Sequence, residues 1–209
     1  MQIVIQSIGW HSSEIEYYTT IEYYTTIVSL LIRRLSKVFG DKARINSGSL
    51  QSSSSLQSSP SSLTTMPPTH LFDKARKQWI SDSLLDWLLE TNQPDITTKV
   101  LAICDFDAYS DELNFVFGEA HLGGRVAAIY LPRLREEFYV RKSDKNNKNL
   151  FEQRVIKEAV HELGHTFGLR HCQISKCVMH FSNSLQDTDF KDDKFCERCN
   201  KILARTLSG

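Results

Sequence analysis

An α/β (α+β) fold is what the sequence predicts, on three observations. Short apolar, β-branched runs recur at 2–8, 99–104 and 125–131, with the length and composition of strands. Longer segments with apolar residues three and four apart, the period of helices, are interleaved with them. The 209 residues suffice for one sizeable hydrophobic core, so a single domain over 1–209 is expected.

Gln2 to Ile8 alternates weakly and reads as a first strand. A perfect tandem repeat follows, Ile15-Glu16-Tyr17-Tyr18-Thr19-Thr20 and then Ile21 to Thr26. Six residues is too short a unit for a solenoid. Ile27, Leu30, Leu31 and Leu35 keep helical spacing, so the repeat is read as lengthening a helix that runs to about Phe39. Residues 47–69 are expected to be a flexible loop, because the serine-rich stretch 47–65 has too few large apolar groups to offset the entropy of ordering. From Leu71 to Thr91, the positions of Ala75, Trp79, Ile80, Leu84, Trp87 and Leu88 predict an amphipathic helix, ended by Pro94-Asp95.

Lys99 to Cys104 reads as a buried strand, with Cys104 a small core residue and Asp105 and Asp107 in a solvated turn. A short strand is expected at 114–118, a turn at His121-Leu122-Gly123-Gly124, and a further strand from Arg125 to Leu131, closed by Pro132. Charged residues 141–149 read as a loop before a helix from about Leu150 to Leu169. On that helix Phe151, Val155, Ala159, Leu163 and Phe167 form a core stripe, with Arg154, Glu158, His161 and His165 on another face. A last helix is expected from about Asp192.

The stretch His161-Glu162-Leu163-Gly164-His165-Thr166-Phe167-Gly168-Leu169-Arg170-His171 carries the chemistry. Residues four apart on a helix lie about 40° apart around the axis and roughly 6 Å along it, so His161 and His165 can reach one metal ion. Glu162 is placed near that ion without having to bind it, which suits a general base acting on zinc-activated water. Gly168 can adopt φ > 0 and stop the helix, after which His171 can supply a third nitrogen. Three protein ligands leave an open position, the arrangement of catalytic rather than structural zinc. With Met179 downstream as a Met-turn, the spacing is the metzincin signature. In metzincins an edge strand lines the cleft and pairs with extended substrate, and Val126–Leu131 is the candidate by order along the chain. An interior strand would read the same way.

Cys172 and Cys177, then Cys196 and Cys199, form two pairs that can close a tetrahedral structural zinc site across the segment 172–199. Two disulfides or free thiols are the alternatives. Cys172 adjoins His171 and cannot easily face the same metal, so two ions are inferred.

These residues resemble the archaemetzincins, in which the metzincin helix is followed at once by a cysteine, then CxM, then a distal CxxC. The likeness runs through His161, Glu162, His165, Gly168, His171, Cys172, Cys177, Met179, Cys196 and Cys199. It extends to Phe181-Ser182-Asn183-Ser184, Asp187-Thr188-Asp189 and Asn114-Phe115-Val116-Phe117-Gly118-Glu119-Ala120, covering about residues 97 to 203. The resemblance implies a compact metzincin-like zinc protease domain: a mixed twisted sheet, a catalytic zinc on the three histidines and a second zinc on the four cysteines. It also implies a cytoplasmic metallopeptidase acting on peptides or proteins.

Lys+Arg and Asp+Glu are both 25, so there is no basic footprint for nucleic acid. The N-terminal residues lack the pattern of a signal peptide, and no run has the apolar length of a transmembrane helix. A cytoplasmic monomer with no membrane or nucleic-acid partner is the expectation. The rival reading is a two-zinc binding or scaffold protein with metzincin geometry, against which Glu162 argues, since a purely structural metal helix has no need of that carboxylate.

Overall fold

The computed structural model describes residues 1–9, 17–40, 43–48, 66–111, 113–139 and 145–207. In chain order it contains β1 (Gln2–Ile8), α1 (Tyr17–Phe39), β2 (Arg44–Ser47), β3 (Phe72–Asp73), β4 (Gln78–Ile80), α2 (Ser81–Asn92) and β5 (Thr98–Cys104). These are followed by β6 (Ala108–Tyr109), β7 (Gly118–Ala120), β8 (Val126–Tyr130), α3 (Lys145–Thr166), α4 (Leu185–Phe190) and α5 (Glu197–Thr206). A central sheet runs β2-β1-β5-β8-β7, parallel except for β7, which lies antiparallel to β8. A smaller sheet joins β3, β4 and β6.

Alternation along the central strands sends side chains to two cores. Leu101 and Ile103 of β5 and Ala127 and Ile129 of β8 pack with α1 and α3. Val100, Ala102, Cys104, Val126, Ala128 and Tyr130 pack with Leu84, Leu85 and Leu88 of α2. Both faces are covered, which is why these strands read as continuous apolar runs. Helix α1 buries Ile27, Leu31 and Leu35, one turn apart, and Phe39 packs at a tilt of 44° against Phe167, just past the end of α3 (5.3 Å between centroids). On α3 the stripe Phe151, Val155, Ala159, Leu163 and Phe167 is buried, as expected, but so are Arg154, Lys157, Glu158, His161 and Glu162. The helix is enclosed on nearly all sides, and its polar face is an interior one.

Four expectations are corrected. Trp79 and Ile80 lie on β4, so the helix expected from Leu71 begins only at Ser81. The Asp73 carboxylate accepts from the backbone of Ala75 and Arg76 and makes a turn there, Lys77 takes a positive φ of 56°, and pairing with Ala108 and Tyr109 extends the chain. The strand expected at 114–118 forms at 118–120. Val126–Leu131 is not the edge: β8 lies between β5 and β7, and β7 is the edge. Asp105 and Asp107 are not a solvated turn, since they pair with Arg135 (2.7 Å) and Arg133 (2.6 Å).

At the C-terminus, Cys196 is the N-cap residue of α5, which starts later than expected, and α4 precedes it. The signal for α4 was present: the Ser184 hydroxyl accepts from the Asp187 N–H, and the Asp187 carboxylate reaches back to the Asn183 N–H and the Ser184 hydroxyl. Within the expected loop 47–69, Ser47 ends β2 and Thr69 starts a 3-10 turn, while 49–65 lie outside the described residues.

Candidate active site

Helix α3 ends through a Schellman turn. Gly168 takes φ 82°, its N–H donates to His165 O (2.8 Å), and the Leu169 N–H donates to Gly164 O (3.1 Å). The Lys99 ammonium donates to Thr166 O (2.9 Å) and Gly124 O (2.6 Å), so a cation sits at the negative end of the helix. The turn sends the chain back under the helix and brings His171 to the other two histidines. Nitrogens of His161, His165 and His171 lie within 4.8 Å of one another.

His161 Nδ1 donates to Val178 O and His165 Nδ1 to Leu169 O, each at 2.7 Å. A carbonyl only accepts, so both Nδ1 atoms carry the ring proton and both Nε2 atoms present lone pairs. Those two Nε2 atoms face each other at 3.0 Å. Two acceptors that close repel unless a cation lies between them. A tetrahedral zinc with Zn–N of about 2.05 Å needs ligand nitrogens about 3.3 Å apart, so the pair fits the ion. Burial and the nearby positive charge of Lys191 hold the His161 ring well below its usual range; burial alone among the larger effects brings His165 down to about 4, and it lowers His171 too. The rings are therefore neutral, the form that binds metal.

Val178, whose carbonyl orients His161, leads into Met179, which is fully buried. Met179 packs flat on Gly164, where a β-carbon would come within 2.4 Å of its sulfur. The methionine thus passes beneath the turn of α3 that carries the two histidines.

Glu162 is 4 % exposed and points at the edge strand: a β-carbon at Gly118 would lie 2.6 Å from its Cγ and 2.7 Å from its Oε1. Burial, and after it the neighbouring Glu158, raises its carboxyl well above the ordinary range. The cleft itself holds about 340 Å³ and is walled by Val116 to Ala120 on one side and by the three histidines, Phe181, Ser182 and Asn183 on the other. Phe181 stands edge-on to His171, with centroids 5.1 Å apart.

The four sulfurs of Cys172, Cys177, Cys196 and Cys199 also come within 4.8 Å of one another, and Cys172 Sγ lies 3.8 Å from Cys196 Sγ. A tetrahedral zinc with Zn–S of about 2.3 Å needs thiolates about 3.8 Å apart. The S–S separation of a disulfide is about 2.05 Å, and none is formed here. The Cys172 N–H donates to Met179 O (2.8 Å) and the Cys196 N–H to Cys177 Sγ (3.3 Å), so the cluster and the Met-turn share one set of backbone bonds.

The sequence did not single out the polar layer behind the histidines. Lys191, 1 % exposed, makes an ion pair with Glu158 at 3.0 Å and donates to His180 O (3.3 Å). Arg154, 3 % exposed, forks onto Asp189 (2.6 and 2.7 Å) and reaches Glu136 (3.1 Å). No short spacing links these partners; the only local hint was a charged residue recurring on the inner face of α3.

A doubly covered mixed sheet, a buried helix carrying two histidines and a glutamate, a third histidine after a glycine turn and a methionine beneath them define a metzincin-type zinc metallopeptidase. The chain belongs to peptidase family M54, whose model matches residues 16–205. It is 45 % identical over 139 residues to the archaemetzincin of Pyrococcus abyssi, covering 66 % of this chain and 72 % of that one. With the archaemetzincin of Methanocaldococcus jannaschii it shares 44 % over 136 residues, covering 65 % and 72 %. The crystal structure of the Methanopyrus kandleri archaemetzincin superposes with a TM-score of 0.74 at 30 % identity, covering 100 % of this chain and 96 % of that one. That of Archaeoglobus fulgidus, complexed with malonate, gives 0.69 at 31 %, covering 97 % and 99 %. Two zinc ions are accordingly its cofactors, and the two donor clusters match them in number and chemistry.

Proposed function

We propose that His161, His165 and His171 hold the catalytic zinc of a peptide-bond hydrolase, that Glu162 is its general base, and that Cys172, Cys177, Cys196 and Cys199 hold the structural zinc. The observation that carries the reading is the pair of opposed Nε2 lone pairs at 3.0 Å, each made obligatory by a backbone carbonyl on the far side of its ring. The zinc, when bound, supplies Lewis acidity to the scissile carbonyl and to the attacking water.

The protein's own part begins at β7. One side of this strand pairs with β8, and its other side faces the cleft, so its backbone groups can align an extended peptide by β-augmentation. Glu162, held against Gly118, removes a proton from the attacking water and returns it to the departing amine. Its raised affinity for protons, a product of burial, favours the first half of that cycle. Phe181 and the Leu169 carbonyl fix the imidazoles of His171 and His165, so the ligand set needs no rearrangement before reaction. The cysteine cluster ties α5 to the segment just after His171 and braces the third ligand.

The reading extends to the whole chain as one catalytic unit that works as a cytoplasmic monomer on peptides or proteins. Thiols that must remain reduced to bind zinc support the compartment. No helix among the described residues is long and apolar enough to cross a membrane. The test is incubation of zinc-loaded protein with a diverse peptide library, with Glu162→Ala in parallel and products read by mass spectrometry. Cuts made only by the parent are expected. Equal cutting by the variant would remove Glu162 from the mechanism, and no cutting by fully zinc-loaded parent would move the assignment to a binding role.

A further inference from the structure

A second cavity, of about 690 Å³, opens between α1, α3 and the segment 189–194, and it is twice the size of the cleft. Its volume lies in the range of small-molecule sites. Its walls are strongly charged, but much of that charge is already spent. Arg34 pairs with Asp193, Asp189 is forked by Arg154, and Lys191 is held by Glu158. Among the described lining residues this leaves Arg33, Lys37, Lys157, Lys176 and Lys194 without a carboxylate partner, against Asp192 alone. On a chain with zero formal charge, such an excess in one concavity is a local field that attracts anions.

Two donors at the base distinguish this cavity from a patch of surface lysines. Lys157 is 7 % exposed, and two of its ammonium hydrogens go to Thr188 O and Asp189 O, each at 2.9 Å. A buried ammonium has three donors, so the third is available, and its partners are neutral carbonyls rather than a carboxylate. Arg34 Nε is buried and has no hydrogen-bond partner among the described residues. An unmet buried donor is costly, and both of these donors lie in residues that line the same cavity. Burial lowers the proton affinity of Lys157 and outweighs the opposing pull of the Asp189, Asp193 and Asp192 carboxylates, none of which bonds to its ammonium.

We propose that this cavity is a second ligand site, for a small anion of the phosphate class. Lys157 and Arg34 meet its oxygens at the base, and Arg33, Lys37 and Lys194 neutralise it at the rim. The anion is either inorganic phosphate or the phosphate of an organic monoester. Phe190, on the wall, carries the Lys176 ammonium over its ring (3.8 Å to the centroid), yet is 56 % exposed, and that remaining apolar surface is what an organic ester would use. The assignment is independent of the peptidase reading, since none of these residues lies in the histidine cluster.

The experiment is a titration of isotope-labelled, zinc-loaded full chain with inorganic phosphate, followed by amide NMR, with chloride at matched ionic strength as the control. Saturable shifts over 30–37, 153–157 and 189–194 are expected. The triple variant Arg33→Gln, Lys37→Gln, Lys194→Gln changes only exposed side chains and should bind at least tenfold more weakly. Phenyl phosphate is the second probe. Tighter binding with shifts reaching Phe190 assigns the organic ester, and equal affinity assigns the inorganic ion. Shifts that follow chloride equally, that fail to saturate, or that fall only on 161–171 would overturn the proposal, as would undiminished binding by the variant.

Discussion

Gly118 and Glu162 touch: the backbone of the edge strand lies where any side chain would collide with the Glu162 Cγ, at 2.6 Å, and its carboxylate oxygen, at 2.7 Å. A glycine is needed here for space alone, because its backbone angles are those any residue adopts. Gly118→Ala should therefore push Glu162 off its position while leaving the histidines in place. We expect kcat to fall by about 10- to 100-fold, with zinc content unchanged. Steady-state kinetics together with metal analysis will check this. An alanine variant with parental kcat would show that Glu162 is free to move and that the contact is incidental.

The cysteine cluster should act as a fold determinant. Cys199→Ser is expected to bind one zinc ion where the parent binds two, and to melt at least about 10 °C lower, since a structural site of this kind contributes several kcal/mol to folding. Zinc quantification and thermal unfolding of the same samples provide the comparison. A variant that keeps two ions and the parental melting temperature would refute the structural role.

Lys191 and Glu158 form an ion pair with almost no exposure to water, so removing one partner strands the other. Lys191→Met should cost about 3–5 kcal/mol, and the double variant Lys191→Met, Glu158→Gln should recover part of that loss. Denaturant unfolding of the parent, both single variants and the double variant forms the cycle. Additive losses would mean that the two side chains do not interact.

Glu119 sets a pH dependence. Burial, with help from the facing Asp82 and Asp111 carboxylates and against a hydrogen bond from Ser81, pushes its carboxyl up to about 7 from 4.5. A native pKa above the unfolded one means that the folded state holds the proton longer. This group's contribution to stability is full below about 4.5, falls as pH rises towards 7 and is flat beyond. Glu119→Gln removes that fall. The variant should gain on the parent by about 1–2 kcal/mol between pH 5 and pH 8, as measured by denaturant unfolding at both. A constant difference between the two proteins would contradict the assignment.

What was legible in the sequence was what is local in it. His161 and His165 are one helical turn apart, Gly168 stops that helix, and each cysteine pair lies within a single turn of chain, so spacing alone pointed to the proposed chemistry. Strand order was not legible, because it depends on which residues meet across the sheet. Ile80 kept helical spacing with Leu84 and Leu88, yet it is extended because it pairs with Tyr109, far along the chain. Val126–Leu131, the candidate edge, is interior and Gly118–Ala120 is the edge for the same reason. The short contact between Gly118 and Glu162 follows from that order, so it was equally invisible. Lys191 and Arg154 carry no motif; their importance comes from burial, which only the packed structure reveals.

The Lys191–Glu158 bond has one end in each of the two concavities: Lys191 lines the charged cavity, and Glu158 lines the cleft. An occupant of either space bears on the same bond, so the two sites are joined by a shared wall rather than by a long path. Thermodynamic reciprocity then applies. By whatever factor phosphate in the cavity changes the affinity of the cleft for a peptide, a bound peptide must change the affinity of the cavity for phosphate by that same factor.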